Sequence, residues 1–427
     1  MFSTYLRLIR DNRNYRLLWI AQVVSELGDW FYALAVYNLL LELTGGKAQA
    51  VALAVVLQVL PQVFAAPTAG VLNDRISRRA IMIGADVARF FVVLGMLGVR
   101  TPGMVWLVYP LLFVETVGAA FFEPAHSSVV PNIVAEGEVL AANALASITW
   151  SVCLAAGASL GGLVAVLLGR DAVFLLNALS FLVSAWLIRR MRFAEPHTAG
   201  LPPLRARDLV DFTPVLEGAR YIRADSRLFV TVFVKFGLGL MGANNVLLPI
   251  LGERVFPVKL AGDPGRGAML GMSLLMGARG VGSLLGPLIA GWWAGGRHSR
   301  LRAGIFAGFL LAAAGYVWLG VSGSLALAIL TVILAHAGGS TNWVFSTTLL
   351  QFHTEDRFRG RVFSADLGLC VLSMSASSYL AGAAIDLGVP ARVFSVAMGL
   401  AMLVPAAAWV MALAATNRAP DAVRPHT

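Results

Sequence analysis

Charge is scarce in this chain: only 13% of its 427 residues are Asp, Glu, Lys or Arg, against about 25% in soluble globular domains. With 58% hydrophobic residues and a mean hydropathy of +0.77, it cannot cover itself with a water-compatible surface, so lipid is its solvent. Cysteine is nearly absent. Cys153 and Cys370 sit in separate apolar runs without CxxC spacing, which excludes a disulfide framework and a cysteine metal site. Also missing are the phosphate cradle GxxxxGK[ST], the zinc motif HExxH, and a GxSxG in the strand-turn-helix context that a nucleophile needs. Nothing therefore points to an ATP-driven pump or to an enzyme, and no cofactor or metal is implied.

What the chain has in excess is positive charge, +10 overall. The basic residues are not gathered with aromatics on one soluble domain, so nucleic acid is excluded as a partner. They fall in short loops between apolar runs, the distribution expected of the positive-inside rule and of contact with anionic membrane lipid. Arg7, Arg10, Arg13 and Arg16 precede a run from 17 to 41. That run is too long for the apolar core of a signal peptide, about 7–15 residues, and reads as a retained first span.

Dividing the runs at polar, Gly and Pro breaks predicts an all-α membrane protein of twelve spans, at 17–41, 50–73, 80–99, 104–123, 138–168, 172–190, 228–251, 268–294, 303–321, 325–351, 361–385 and 391–415. The one sizeable hydrophilic gap separates an N-terminal six-helix bundle, 1–193, from a C-terminal one, 228–427. The connecting residues 194–227 form a linker with an amphipathic piece around 215–222, expected on the cytoplasmic surface. On one side of the membrane fall 23 Lys and Arg, against seven on the other (Lys47, Arg100, Arg170, Arg254, Lys259, Arg266 and Arg392). This asymmetry predicts both termini in the cytoplasm of a bacterial-type inner membrane. The two blocks echo each other: Gly70-Val71-Leu72-Asn73-Asp74-Arg75-Ile76-Ser77-Arg78-Arg79 after the second span has a counterpart at Gly291 to Arg300 after the eighth, where Gly295 replaces Asp74. Pseudo-symmetric halves suggest a transporter with its site between the repeats.

The stretch Gly70-xxx-Asp74-Arg75-xx-Arg78-Arg79 resembles the signature loop of the major facilitator superfamily, and twelve spans in two blocks match that fold over nearly the whole chain. Four further stretches resemble its branch of macrolide, multidrug and siderophore exporters. They are Ser25-Glu26-Leu27-Gly28-Asp29, Asp86-Val87-Ala88-Arg89, Phe122-Glu123-Pro124-Ala125 through Pro131 to Asn143, and Arg359-Gly360-Arg361-Val362. Gly157-Ala158-Ser159-Leu160-Gly161-Gly162 is similar to an exporter antiport motif, without its usual proline. The resemblance implies alternating access driven by a proton gradient, and a cytoplasmic latch that holds the outward-facing state. In that latch Gly70 lets helices approach, and Asp74, with Arg75, Arg78 and Arg79, meets the start of the eleventh span near Arg361.

Ionisable groups inside spans are costly and default to functional candidates. Glu26 and Asp29, three residues apart near the middle of the first span, are the expected proton-coupling pair, because two nearby carboxylates in a low dielectric do not both ionise easily. Glu115 is a third candidate. Asp86 and Arg89 share the same spacing with opposite charge and are expected to form a structural ion pair. Lys235, Arg279 and Asp366 supply cavity or gating charges in the second block, where the bases are expected to face acids of the first, Glu115 to Lys235 among them. Trp30, Asn244, Asn245, His336 and Asn342 are candidates for the substrate cavity. The resulting expectation is a monomeric exporter of hydrophobic or amphiphilic small molecules. A lysophospholipid or other lipid transporter of the same fold is the alternative, and a transport-inactive membrane sensor is a second, of another class.

Overall fold

The computed structural model describes residues 2–195, 213–259, 264–295, 297–355 and 358–418, nearly all of them helical. In chain order the helices are α1 (Phe2–Asp11), α2 (Arg13–Thr44), α3 (Ala48–Arg75), α4 (Arg78–Met96), α5 (Val108–Ile133), α6 (Val139–Leu168), α7 (Arg170–Arg189), α8 (Thr213–Ala224), α9 (Ser226–Gly239), α10 (Asn244–Arg254), α11 (Pro264–Ala294), α12 (His298–Val321), α13 (Leu325–His353), α14 (Arg359–Asp386), α15 (Ala391–Ala401) and α16 (Leu403–Arg418). Helix is the only open-ended element that satisfies its own backbone in lipid.

Local chemistry sets the ends. Asn12 accepts a hydrogen bond from the Tyr15 amide and caps α2, whose other end closes on Gly45 at φ 67, a left-handed conformation that costs glycine little. Ser77 caps α4 through the Ala80 amide, and Asp225 caps α9. Where the chain departs from the predicted spans, the cause is local. The predicted span 228–251 is interrupted by a tight turn at Leu240–Ala243 between α9 and α10, where Gly239 and Gly242 lie against α14. The last span breaks at Met402. The fourth continues ten residues beyond its predicted end, through Pro124 and Pro131, to Ile133. One helix was not anticipated: α1 buries Leu8 while Arg7 and Arg10 remain exposed, an amphipathic piece continuous with a core of Tyr15, Leu18, Met82, Phe122 and Ile188.

Among the described residues, ten helical segments are long and apolar enough to cross a membrane. The other two predicted spans lie within α2 and α4, which carry Glu26, Asp29, Asp86 and Arg89. Large apolar side chains such as Trp292, Ile289, Leu380, Val404 and Met411 are exposed, as suits helices facing acyl chains.

The helices gather into two compact units that do not follow chain order. The first joins Met1–Asp211 to Asn244–Val281 and Ser378–Ala391, and the second joins Phe212–Ala243 to Gly282–Ser377 and Arg392–Thr427. In the first, α2 packs on α6 and α7, α3 on α5, and α4 on α5 and α7. In the second, α12 and α13 form the closest pair, with α9 and α16 against them.

Within the first unit, small residues bring backbones together. A methyl group at Gly157 would lie 2.8 Å from Trp30 Cβ, and one at Gly161 2.8 Å from Phe31 Cα, so α6 packs tightly on α2. On its other flank α6 meets α11, where Gly280 faces the Ala155 backbone and Gly277 faces Ser159 Oγ. The glycine motif of the fifth predicted span is thus a packing surface on two sides.

Candidate functional site

Three helices of the first unit deliver charge to one point. Helix α2 carries Asp29, α4 carries Asp86 and Arg89, and α5 carries Glu115. The Arg89 guanidinium donates from Nε (2.9 Å) and Nη2 (2.7 Å) to Glu115 Oε1, and from Nη2 to Asp29 Oδ2 (2.9 Å) and Oδ1 (3.1 Å). Arg89 and Glu115 are buried; Asp29 is half-buried. Two neighbours shape the place. Gly118, one turn beyond Glu115, leaves room for the arginine stem, since a methyl there would lie 2.9 Å from Arg89 Cγ. The Phe181 ring of α7 lies 4.0 Å from Cζ, offering its face to a cation stripped of water.

Arg89, expected to pair with Asp86 on its own helix, makes its hydrogen bonds instead to Asp29 and Glu115 on neighbouring helices, through the Nε and Nη2 edge of its guanidinium. Asp86 is fully buried, and both its oxygens lack a hydrogen-bond partner among the described residues. Within the first unit Glu115 pairs with Arg89. Lys235 in turn donates to Asp366 Oδ2 at 2.5 Å, with both side chains buried and the ammonium 4.5 Å from the Trp343 ring centre. Glu26 accepts a hydrogen bond from Gln22 at 2.8 Å through one oxygen, while the other is buried without a partner among the described residues.

A second meeting of predicted residues lies in the same unit. Arg279 of α11 donates to the Asn245 side chain of α10 at 2.5 Å and stands 5.9 Å from the Trp30 ring of α2. Trp30 meets Trp150 edge to face at 5.9 Å. The remaining cavity candidates are used differently. His336 Nε2 and Tyr316 Oη are 2.8 Å apart in the buried contact between α13 and α12. The Asn342 amide, oriented to satisfy both its ends, donates to the Ile305 carbonyl and accepts from the Phe309 amide. Both tie neighbouring helices together, and Asn244 is buried as well.

The signature stretch is tied down by its own surroundings. Arg78 donates to the Ser128 carbonyl at 2.8 Å, and Arg79 to the Met191 carbonyl at 3.0 Å. Glu195 accepts from Ser77 Oγ at 2.6 Å and from the Arg79 amide at 3.2 Å. Arg75 is partly buried, and the Asp74 side chain lies outside the described residues. A methyl at Gly70 would meet nothing within 4 Å among the described residues. Arg361 engages Glu217 of α8 at 2.6 Å, and Gly218 lets the surface helix approach the Arg361 carbonyl. In the counterpart after α11, Gly295 takes φ 53. The helix there ends in a left-handed turn, whereas α3 runs on to Arg75.

Several contributors escaped the sequence reading: Phe181 and Gly118 around Arg89, Glu217, and Asp386, whose carboxylate receives the first amides of α3. Each is defined by a partner on a distant helix, and only the position of Asp386 at a helix end was a local clue.

The arrangement of helices and motifs has matches among known proteins. Residues 8–426 match the family model described as transmembrane secretion effector. The chain belongs to this family of major facilitator transporters. The family assignment rests on nearly the whole chain, and relatives of similar length agree with it. The chain is 25% identical over 363 residues to macrolide efflux protein A of Streptococcus pyogenes, covering 84% of this chain and 85% of that one. It is 23% identical over 371 residues to the putative bacilysin exporter BacE of Bacillus subtilis, covering 86% and 87%. Solved structures of low identity share the fold. The nucleoside transporter NupG superposes with a TM-score of 0.72 at 10% identity, over 94% of this chain and 99% of that one. The human organic anion transporter MFSD10 does so with 0.63 at 15% identity, over 94% and 99%.

Proposed function

We propose that this family member is a proton-coupled exporter that works by alternating access and carries hydrophobic or amphiphilic small molecules out of the cell. It spans the inner membrane twelve times in two six-helix bundles, with both termini in the cytoplasm. The observation that carries the reading is the Asp29–Arg89–Glu115 cluster: a buried guanidinium held between two carboxylates from different helices, within predicted spans. Such groups are expensive to keep in a membrane and persist where charge or protons must move. Supporting it are the printed functions of two relatives, macrolide efflux and bacilysin export, which suggest cargo of that kind without naming this chain's own.

In this reading a proton taken up by Asp29 or Glu115 weakens that group's hold on Arg89, and the guanidinium swings to the remaining carboxylate. Because the three residues belong to α2, α4 and α5, a change in pairing shifts helices against each other, which is what alternating access requires.

The test is transport by full-length protein in lipid vesicles under an imposed pH gradient, with a macrolide and an amphiphilic dye as probes. Gradient-dependent movement of either probe is the expected result. Movement of a fluorescent lysophospholipid that ignores the gradient would replace this reading with the lipid-transporter alternative. No flux of any probe would favour a transport-inactive sensor.

A further inference from the structure

At one end of the first unit, arginines gather where the start of α2 meets the chain leaving α7. Arg7, Arg10, Arg13 and Arg16 flank the corner between α1 and α2, and Arg189, Arg190 and Arg192 follow the last turn of α7. Arg7 reaches Glu138 at 3.6 Å, and Arg16 donates to the carbonyls of Ile9 and Arg10. The other five are exposed, and none of them forms an ion pair among the described residues. Two are held in position. The Arg190 guanidinium lies 3.7 Å from the centre of the Trp186 ring, one turn earlier on α7. Arg192 is fixed through its backbone: Asn14 Nδ2 donates to its carbonyl at 2.7 Å, and its amide donates to Asn14 Oδ1 at 2.9 Å. Met191 and Phe193 on either side pack into the core of Tyr15, Leu18 and Ile188, so the alternation of extended backbone turns Arg192 outward.

Two further features adjoin these cations. Leu175, Leu179, Leu182 and Trp186 recur every three or four residues along α7 and are exposed, a continuous apolar track on one helix face that ends in an indole at the level where lipid headgroups begin. Beside Asn14 opens a hollow of about 390 Å³ lined by Arg7, Asp11, Asn12, Arg13, Asn14 and Glu138 among others. Its rim offers both hydrogen-bond donors and acceptors, which suits hydroxyl groups and not a hydrocarbon chain.

We propose that this corner is a binding site for an anionic phospholipid with a hydroxyl-bearing head, of the phosphatidylglycerol class. The phosphate lies between Arg190 and Arg192, whose planar forks match its oxygens. An acyl chain follows Leu182 and Leu179 along α7, and the head enters the hollow beside Arg13. Charge selects the lipid: five exposed arginines outnumber the nearby Asp11 and Glu138, and a zwitterionic lipid would bring its own ammonium into that field. Which leaflet supplies the lipid rests on the proposed topology; the site itself depends neither on that topology nor on export.

The test follows the unfolding temperature of the full-length protein in detergent micelles as phosphatidylglycerol, phosphatidylcholine or water-soluble glycerol phosphate is added, because a ligand of the folded state stabilises it. The wild type should gain several degrees with phosphatidylglycerol and none with the other two, and the gain should shrink as salt is raised. Arg190→Gln combined with Arg192→Gln should unfold like wild type without lipid, since both side chains are exposed. It should need about thirtyfold more phosphatidylglycerol for the same shift, the usual effect of two basic residues at an anionic lipid surface. Should that variant not fold, Arg192→Gln alone carries the test with about a fivefold loss. Arg220→Gln combined with Arg297→Gln removes two exposed arginines of the second unit and should respond as wild type does. Equal shifts with phosphatidylcholine or glycerol phosphate, an undiminished response in the α7 variant, or an equal loss in the second-unit variant would each overturn the site. Binding is read here without transport, so its failure leaves the exporter reading standing, and absence of gradient-driven transport leaves the lipid site standing.

Discussion

The Asp386 carboxylate at the end of α14 accepts the Ala48 amide at 2.8 Å, while its second oxygen accepts that of Gln49 at 2.9 Å, so residues 338 positions apart in the chain form one helix cap. The residue preceding α3, Lys47, supplies no side-chain cap of its own. An anionic oxygen at a helix start satisfies open amides and meets the positive end of the helix dipole. Asp386→Ala should destabilise the first unit by about 1 kcal/mol, and Asp386→Asn by less, since one amide oxygen still accepts. Thermal unfolding in detergent checks both; an Asp386→Ala protein as stable as wild type would contradict the cap.

In the second unit, Lys235 and Asp366 depend on each other. Neither side chain is more than 4% exposed, so removing one partner strands a charge. Lys235→Met should cost about 3–5 kcal/mol, seen as poor yield and early unfolding. Lys235→Met with Asp366→Leu should recover most of that loss, because a buried pair exchanged for apolar groups is often neutral. A double variant no better than the single would show that the pair does not act as a unit.

The contact of α8 with α14 separates packing from charge. Arg361 and Glu217 are about equally exposed, at 38% and 41% of their side chains, so Glu217→Gln should change stability by less than about 1 kcal/mol. Gly218 has no such freedom: a methyl there would stand 2.8 Å from the Arg361 carbonyl oxygen. Gly218→Val should cost about 1–3 kcal/mol by overpacking and loosen the stack of Tyr221 on Phe358, whose centroids are 4.2 Å apart. Unfolding curves for the two variants would reveal the reverse order if charge, and not close approach, held the surface helix.

Periodicity and composition carried the helical fold: each predicted span falls mainly on helix, with breaks at Leu240–Ala243 and at Met402, because lipid allows the backbone little else. The charges that pair within the helices were visible too, since Asp29, Arg89, Glu115, Lys235 and Asp366 stand out against apolar neighbours. How they pair was not. Spacing along one helix suggested Asp86 with Arg89, but a guanidinium on a long stem selects carboxylates across helix contacts, and those contacts are set by residues such as Gly118 and Phe181 that look like ordinary packing. The partners of His336 and Asn342 were hidden for the same reason. A polar residue in a span is as useful for tying helices together as for meeting cargo, and only the neighbouring helix decides.

The central claim is that the Arg89 cluster converts proton entry into export. The most direct measurement compares wild type and Asp29→Asn in the same vesicles, following a macrolide both by downhill exchange and under an imposed pH gradient. The substituted amide keeps the shape of the side chain but cannot take or release a proton. The account predicts that Asp29→Asn still exchanges the probe downhill while losing the gradient-driven component. A variant that still accumulates the probe against its gradient as the wild type does would contradict it.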